Sequence, residues 1–369
     1  MNVYLAGGAV RDLLMGKPIA DRDYLVTDTT REAFMERFPN AQEVGKAFPV
    51  FLLNRLEFSF PRGTTVQEEL RSRDLTVNAI LLAEDGSLHC HPNALEDMHN
   101  RKLRPASPRA LHEDPLRVFR AARFWARFPD FTPHEELLKA MRSVADEKLL
   151  ETVAPDRIGT ETLKALSAAK PGNYLRLLSQ TGCLEPWFTE FEEGRNIPAG
   201  PLPYHDTDVM EHTCRIMDCL AGNPMASWMG MCHDLGKLRT DEKLLPKHHG
   251  HDKRGIEMVK AIVKRLHISN LHMTAGVMAA KWHMIAARYD ELRAGTRVDM
   301  LMALHLTNTF DDFFKVVEAD QNKNFLEAAH KDLSIILPIS LPLKFRNLRE
   351  KSGKMLRELR ASALAKQTR

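Results

Sequence analysis

The chain has 369 residues, enough for two or more domains with ample core. Its hydrophobic share of 44%, charged share of 27% and net charge of +3 are those of an ordinary globular protein and exclude a histone-like polyanion binder. The five cysteines form no CxxC pair, which speaks against a disulfide framework or zinc finger and for reduced thiols in a cytoplasmic protein. No apolar run has the length of a membrane span, and no leader-like segment opens the sequence.

In chain order, residues 1–110 mix short β runs with helices and are expected to form an α+β head. A strand is expected at Val3–Leu5, a turn at Gly7-Gly8, a helix opening near Ala9 and a second strand starting at Asp21. Carboxylates at i and i+2 on a strand share a face, so Asp21 and Asp23 would repel unless a cation lay between them. Oxygen-only ligands suit Mg²⁺, which also binds substrate phosphates. The paired glycines admit backbone N–H groups to a phosphate, and Arg11 could reach a phosphate or sugar oxygen. Further strands are expected at Tyr24–Val26, Phe51–Leu53, Glu57–Phe60 and Ala79–Leu82.

From Leu111 helical patterns take over, with Leu138, Met141, Val144 and Leu149 as a buried stripe. In the segment from His112 to Trp125, Arg117, Arg120 and Arg123 step by three and Asp114 precedes them by three, placing all four along one inclined helix face. Such a row of arginines needs anions or carboxylates to neutralise it, as a triphosphate would. The Pro- and Gly-rich stretch Asn196–Pro203 is expected to separate these helices, residues 111–200, from a histidine-rich third region, 204–330. Pro338 to Pro342 then leads into a basic helical tail, 331–369. The local basicity of 102–123 and of the tail suggests polyanion surfaces.

The Gly7-Gly8…Asp21-x-Asp23 block resembles motif A of the class II tRNA nucleotidyltransferases, the bacterial CCA-adding and poly(A) polymerase family, and further blocks follow in family order. Arg71-Ser-Arg73-Asp-Leu-Thr-Val-Asn78 resembles the RRDxxxNA motif, motif B of the family, with Ser72 in place of an arginine. Glu113-Asp114-Pro-Leu-Arg117-Val-Phe-Arg120-Ala-Ala-Arg123-Phe resembles EDxxRxxRAxRF, and Arg157 to Glu161 resembles a later buttressing element. The resemblance implies a DNA polymerase β-like nucleotidyltransferase head followed by an all-α neck and body. Asp21 and Asp23 would be catalytic Mg²⁺ ligands, with Glu57 a weaker third acid. Gly8, Arg11 and Arg73, with Gly7, Asp74 and Asn78 as weaker candidates, would bind nucleotide. Asp114 and Arg117 would read the base of CTP or ATP, and Arg120 and Arg123 would hold its phosphates and sugar. The implied macromolecular partner is tRNA.

Two departures bear on the reaction. Pro61–Leu70 is far shorter than the family's flexible loop before motif B, and His91 to Asp97 lacks the first Asp and the Gly of DPxxGxxDL. Relatives that add only the two C residues are shortened at the former place, so a CC-adding enzyme is the alternative to full CCA addition. A poly(A) polymerase or an inert RNA-binding relative is the more distant one.

In the third region, His212, His233-Asp234 with Lys237, His251, His283 and Asp320 follow the order of an HD-domain phosphohydrolase. A tandem His-Asp is costly to bury without a metal or firm partners. The resemblance implies an all-α domain with His212, His233, Asp234 and Asp320 as ligands, and His251 and His283 as weaker candidates. It implies a divalent transition metal such as Ni²⁺ or Mn²⁺, and phosphatase or 2′,3′-cyclic phosphodiesterase activity.

Overall fold

The computed structural model describes residues 1–19, 21–44, 50–202 and 206–367. The chain forms two compact units, Met1–Val153 with Gln180–Cys183, and Ala154–Ser179 with Leu184–Arg369. The boundaries expected near 110 and 203 thus fall inside units; Pro203 itself lies outside the described residues. Among the described residues, no helix is long and apolar enough to cross a membrane.

The first unit carries a seven-stranded sheet of β1 (Asn2–Ala6), β2 (Asp23–Thr27), β3 (Gln42–Val44), β4 (Val50–Leu53), β5 (Leu56–Ser59), β6 (Ile80–Ala83) and β7 (Leu88–Cys90), in the order β3-β4-β5-β2-β1-β6-β7. β1 runs antiparallel to β2 and β6, whereas β2 and β5 are parallel. Tyr4, Ala6, Leu25 and Leu81 pack with Leu70 of a short helix on one face, while Val26 and Phe51 pack with Phe34 on the other. By strand alternation Asp23 belongs to the Leu25 face.

Seven helices accompany this sheet: α1 (Gly8–Leu14), α2 (Arg31–Arg37), α3 (Val66–Arg71), α4 (Ala94–His99), α5 (Ala110–Glu113), α6 (Leu116–Arg127) and α7 (Glu135–Asp146). The expected stripe on α7 is shifted: Leu137, Ala140, Met141 and Val144 are buried, Leu138 is half-buried, and Leu149 lies beyond the helix. Leu137 and Met141 are one i, i+4 step apart, which sets the buried face a residue away from Leu138.

The helices that follow are α8 (Pro155–Leu166), α9 (Gly172–Gln180), α10 (Thr189–Glu193), α11 (Val209–Cys219), α12 (Pro224–Cys232), α13 (His251–Arg265), α14 (Asn270–Ala286), α15 (Ala294–Leu306), α16 (Phe310–Gln321), α17 (Leu326–Ile336) and α18 (Glu350–Gln367). Apolar on almost every side, α12 is buried among α8, α11, α14 and α16. The Pro-rich stretch after α10 is not a free spacer. Pro198 bridges Asp208, Ala199 N–H donates to the Thr207 carbonyl, and Ala199 is buried. The basic C-terminal segment also folds back, with α18 against α15 and α17, Arg357 paired to Asp299 and Leu364 buried.

Candidate active sites

In the head, β1 delivers the chain to Gly7, whose φ of 63° is a left-handed conformation natural to glycine. Its N–H donates to the Ile80 carbonyl at 2.9 Å. A Cβ at Gly7 would stand 2.7 Å from Arg73 Nη1, so the glycine is also what lets the Arg73 guanidinium lie over the turn. Arg73 pairs with Glu69 at 3.1 Å, yet its buried Nε has no hydrogen-bond partner among the described residues. An orphaned cationic donor above a glycine turn fits an anionic ligand.

β2 begins at Asp23, not at Asp21, so Asp21 precedes the strand instead of sharing its pleat. Asp23 pairs with Ala6 of β1 on one side and with Glu57 of β5 on the other, which makes Glu57 its cross-strand neighbour. All three carboxylates are solvent-accessible. Partial burial of the Asp23 carboxylate and then the charge of Asp21 raise its pKa, while Arg73 and Arg120 pull the other way. A carboxylate destabilised by a like-charged neighbour fits a divalent cation.

Arg11 departs from its expected role. It lies on the inner side of α1 and is buried, with Nε and Nη2 donating to Asp12 Oδ1 at 2.9 and 2.7 Å. Its Nη1 donates to Asn78 Oδ1, and its guanidinium sits 4.7 Å from the Phe128 ring centroid. Asp12 takes a further bond from Arg127 at 2.9 Å, tying α1 to the end of α6. Arg11 is therefore a structural tie without reach to a phosphate.

Asp74 is the hub of motif B. Its Oδ1 accepts from Asn78 Nδ2 and Leu75 N–H at 2.9 and 2.8 Å, and its Oδ2 accepts from Arg120 Nε and Nη2 at 2.9 and 2.6 Å. Burial alone would raise its pKa, but Arg120 and the Asn78 hydrogen bond outweigh that and hold it well below the usual carboxylate range. Arg11, Asn78, Asp74 and Arg120 thus form one chain joining motif A, motif B and α6.

The expected helix face divides. Asp114 lies in extended backbone before α6, its Oδ1 accepting from Leu116 N–H at 3.3 Å. Arg117 is buried and donates to the carbonyls of Ser72 at 2.6 Å and Ala110 at 2.8 Å. Arg120 pairs with Asp74, and Arg123 lies 4.5 Å from the Phe124 ring centroid. Protein carbonyls, a carboxylate and a ring thus compensate the arginine row, in place of the triphosphate expected from its spacing. Arg157 and Glu161 stand on α8, with Glu161 buried.

In the second unit, the histidine-rich residues meet. His212 comes from α11, His233 from the end of α12, His251 from the first residue of α13, His283 from α14 and Asp320 from α16. His212 Nε2 lies 3.0 Å from Asp320 Oδ1, and His233 Nε2 lies 3.2 Å from Asp234 Oδ2. On the other side of Asp234, its Oδ1 is 3.2 Å from His283 Nε2 and 3.6 Å from His251 Nε2. Ligand atoms of His212, His233 and Asp234 lie within 4.8 Å of one another, as do those of Asp234, His251 and His283.

Burial would raise the Asp234 pKa, but Lys237 and His233 hold it far below the carboxylate range; His212 and His233 do the same for Asp320. Burial pushes His251 down to about 4, against the pull of Asp234. Lys237 belongs to this centre as well, although its sequence context alone gives it no role. Its ammonium donates to Asp234 Oδ2 at 2.7 Å and to the Ala199 carbonyl at 3.0 Å, and the signal was its i+3 spacing from Asp234. His248 is structural, bonded to Thr240 Oγ1 and to the Pro198 carbonyl.

Residues 3–54 match the family described as the poly A polymerase head domain, and residues 130–194 match the probable RNA and SrmB-binding site of polymerase A. The chain is 32% identical over 346 residues to the multifunctional CCA protein of Methylobacillus flagellatus, covering 87% of this chain and 84% of that protein. It is 34% identical to the corresponding protein of Hahella chejuensis, covering 87% and 82%. The fold matches the Bacillus stearothermophilus CCA-adding enzyme solved with CTP, at TM-score 0.65 and 21% identity over 91% of this chain and 79% of that one. It also matches the Thermotoga maritima CCA-adding enzyme solved with tRNA, at TM-score 0.63 and 17% identity over 98% and 86%. The sheet-bearing head, the helical body and the identity along most of both chains lead to one conclusion: this chain belongs to the multifunctional CCA proteins, class II CCA-adding enzymes.

Proposed function

We propose that this chain adds the C and A residues of the CCA end to the tRNA 3′ terminus from CTP and ATP, without a nucleic acid template, and that its second unit is a metal-dependent phosphohydrolase. The observation that carries the first activity is Asp23, destabilised by the charge of Asp21 and paired across strands with Glu57, beside an Arg73 guanidinium laid over Gly7. Relatives named multifunctional CCA proteins, and solved CCA-adding enzymes with CTP, ATP and tRNA, support the substrate assignment.

Asp21 and Asp23 would hold Mg²⁺, with Glu57 beside them. The ion, when bound, supplies activation of the tRNA 3′-hydroxyl and neutralisation of the phosphates in an in-line displacement. Arg73 offers its unused Nε to the triphosphate, and Gly7 and Gly8 keep that approach open. Asp74 holds Arg120 and Asn78, so motif B is fixed to α6 before nucleotide arrives. Asp114 and Arg117 select the base, and Arg117 does so by exchanging the Ser72 carbonyl for the base edge.

In the second unit His212, His233, Asp234 and Asp320 would hold a transition metal such as Ni²⁺ or Mn²⁺, for which imidazole is a suitable ligand. Such an ion supplies a hydroxide nucleophile near neutral pH for phosphomonoesters or 2′,3′-cyclic phosphates.

Addition of C alone is the second reading, favoured by one observation. Pro61–Thr65 is folded onto α3, with Arg62 N–H donating to Glu69 and Thr64 to Glu68, and with Thr65 and Glu68 forming a capping box. That interval offers no long lever. The experiment supplies tRNA transcripts ending in N, NC and NCC with CTP and ATP separately. CTP should extend the first two, and ATP should extend NCC by one residue. CTP incorporation with NCC left untouched by ATP would establish the C-only enzyme, and no extension of any transcript would overturn the function.

A further inference from the structure

We propose that His112 is a positioning residue for base selection: its bond to Ser143 and Glu147 at the end of α7 fixes α5, and with it the direction of the Asp114 carboxylate. This rests on reading Asp114 and Arg117 as the groups that select the base.

The turn that carries His112 needs outside support. α5 is a single helical turn, too short to hold itself, and its cap residue Arg109 makes no side-chain cap bond. Ala110 and Leu111 are fully buried and seat the turn in the core, but two adjacent apolar anchors do not stop it rolling about its axis. Asp114 follows directly, in extended backbone with φ −143° and ψ 95°, and Pro115 keeps it out of the helical region. Any roll of α5 is therefore passed on to the Asp114 side chain.

His112 blocks that roll. Its Nε2 lies 3.1 Å from both Ser143 Oγ and Glu147 Oε1, and Ser143 Oγ donates to the same Glu147 oxygen at 2.9 Å. The carboxylate only accepts and takes the Ser143 proton, so Nε2 itself carries a proton and donates to the pair. Ser143 and Glu147 are one i, i+4 step apart, the first in the last turn of α7 and the second just beyond it. Together they seat one imidazole N–H at two points. His112 Nδ1 is buried with no hydrogen-bond partner among the described residues, so the ring is held through Nε2. The frame behind this seat is firm, since Leu137, Met141 and Val144 bury the inner face of α7.

Two further ties into α5 come from Arg117, whose Nη1 donates to the Ala110 carbonyl at 2.8 Å and lies 4.0 Å from Glu113. Both slacken when Arg117 turns to the base edge. The His112 tie leads to α7 and does not involve Arg117, so it holds Asp114 in place while its partner moves.

The test measures kcat/KM for CTP and for UTP on a tRNA transcript lacking its CCA end, using the full chain. His112→Phe keeps a ring of similar size and removes the donor. The ratio of CTP to UTP should fall by about tenfold to a hundredfold, as for a group displaced by about 1 Å, with KM for tRNA unchanged. His112→Gln, whose amide nitrogen donates from the same place, should recover most of the ratio. Glu147→Ala, a change at an exposed residue, should reproduce the loss and replaces His112→Phe if that variant melts early. Combined with Asp114→Ala, either change should lower the ratio no further than Asp114→Ala does alone. A parent-like ratio in His112→Phe and Glu147→Ala, no recovery in His112→Gln, or losses additive with Asp114→Ala overturn the positioning role while base selection by Asp114 stands. A parent-like ratio in Asp114→Ala overturns both.

Discussion

Asp23 and Arg11 belong to the same sequence block, motif A, yet they have opposite fates. Asp23 stays accessible beside Asp21 and is destabilised by it, whereas Arg11 is buried and fully compensated. Removing one member of a buried ion pair costs roughly 3–5 kcal/mol, because the partner is left charged and unpaired. Arg11→Ala should therefore lower unfolding stability by about that amount in urea titrations. The KM for CTP of the protein that remains folded should stay near the parent value, and a large selective rise in KM would show that Arg11 touches nucleotide. Asp74 gives a companion test with a defined pH dependence. Its pKa is depressed on folding, so its stabilising contribution is complete above the unfolded value near 3.8 and is lost only as pH falls below that. Asp74→Asn should be destabilised by the same margin at about pH 7 and about pH 5. A margin that already shrinks between those two conditions would contradict the assignment.

The elements divide into those that local pattern reveals and those that neighbours decide. β1, β2, β4, β5 and β6 were legible because apolar residues bounded by turn residues mark them. β3 and β7 have three residues each and little buried surface, too short for alternation to register. The start of β2 was misplaced because its first residue is set by pairing with Ala6 and Glu57, which single-strand patterning does not contain. The spacing of Arg117, Arg120 and Arg123 located α6, but a spacing cannot tell that the three guanidinium groups reach Ser72, Asp74 and the Phe124 ring. In the second unit every expected metal-site residue converges, since His233-Asp234 ends a buried helix and Gly236 brings α13 against it. Gly236→Ala should separate those elements. Manganese retention in the second unit should fall, together with thermal stability, while nucleotide addition by the first unit persists. Unchanged metal content in this variant would mean that the glycine is incidental.

At the scale of the whole chain, the two compact units differ in ligand chemistry: the second gathers imidazoles around Asp234, and the first sets Asp23 beside Glu57 on neighbouring strands with Asp21 just before them. The head offers solvent-accessible oxygens beside an arginine, which suits Mg²⁺ and a triphosphate. The second unit offers buried nitrogens around Asp234 and Asp320, which suits a transition metal. Asp21 and Asp23 carry the central claim, because nothing else in the first unit is asked to hold the ion on which nucleotidyl transfer depends. The most direct measurement is incorporation of labelled CTP into a tRNA transcript lacking its CCA end by Asp23→Ala, alongside tRNA binding by the same protein. The account expects incorporation to fall by about a hundredfold to a thousandfold, as for other groups that stabilise transition-state charge, with tRNA affinity nearly unchanged. Incorporation within a few-fold of the parent would contradict it.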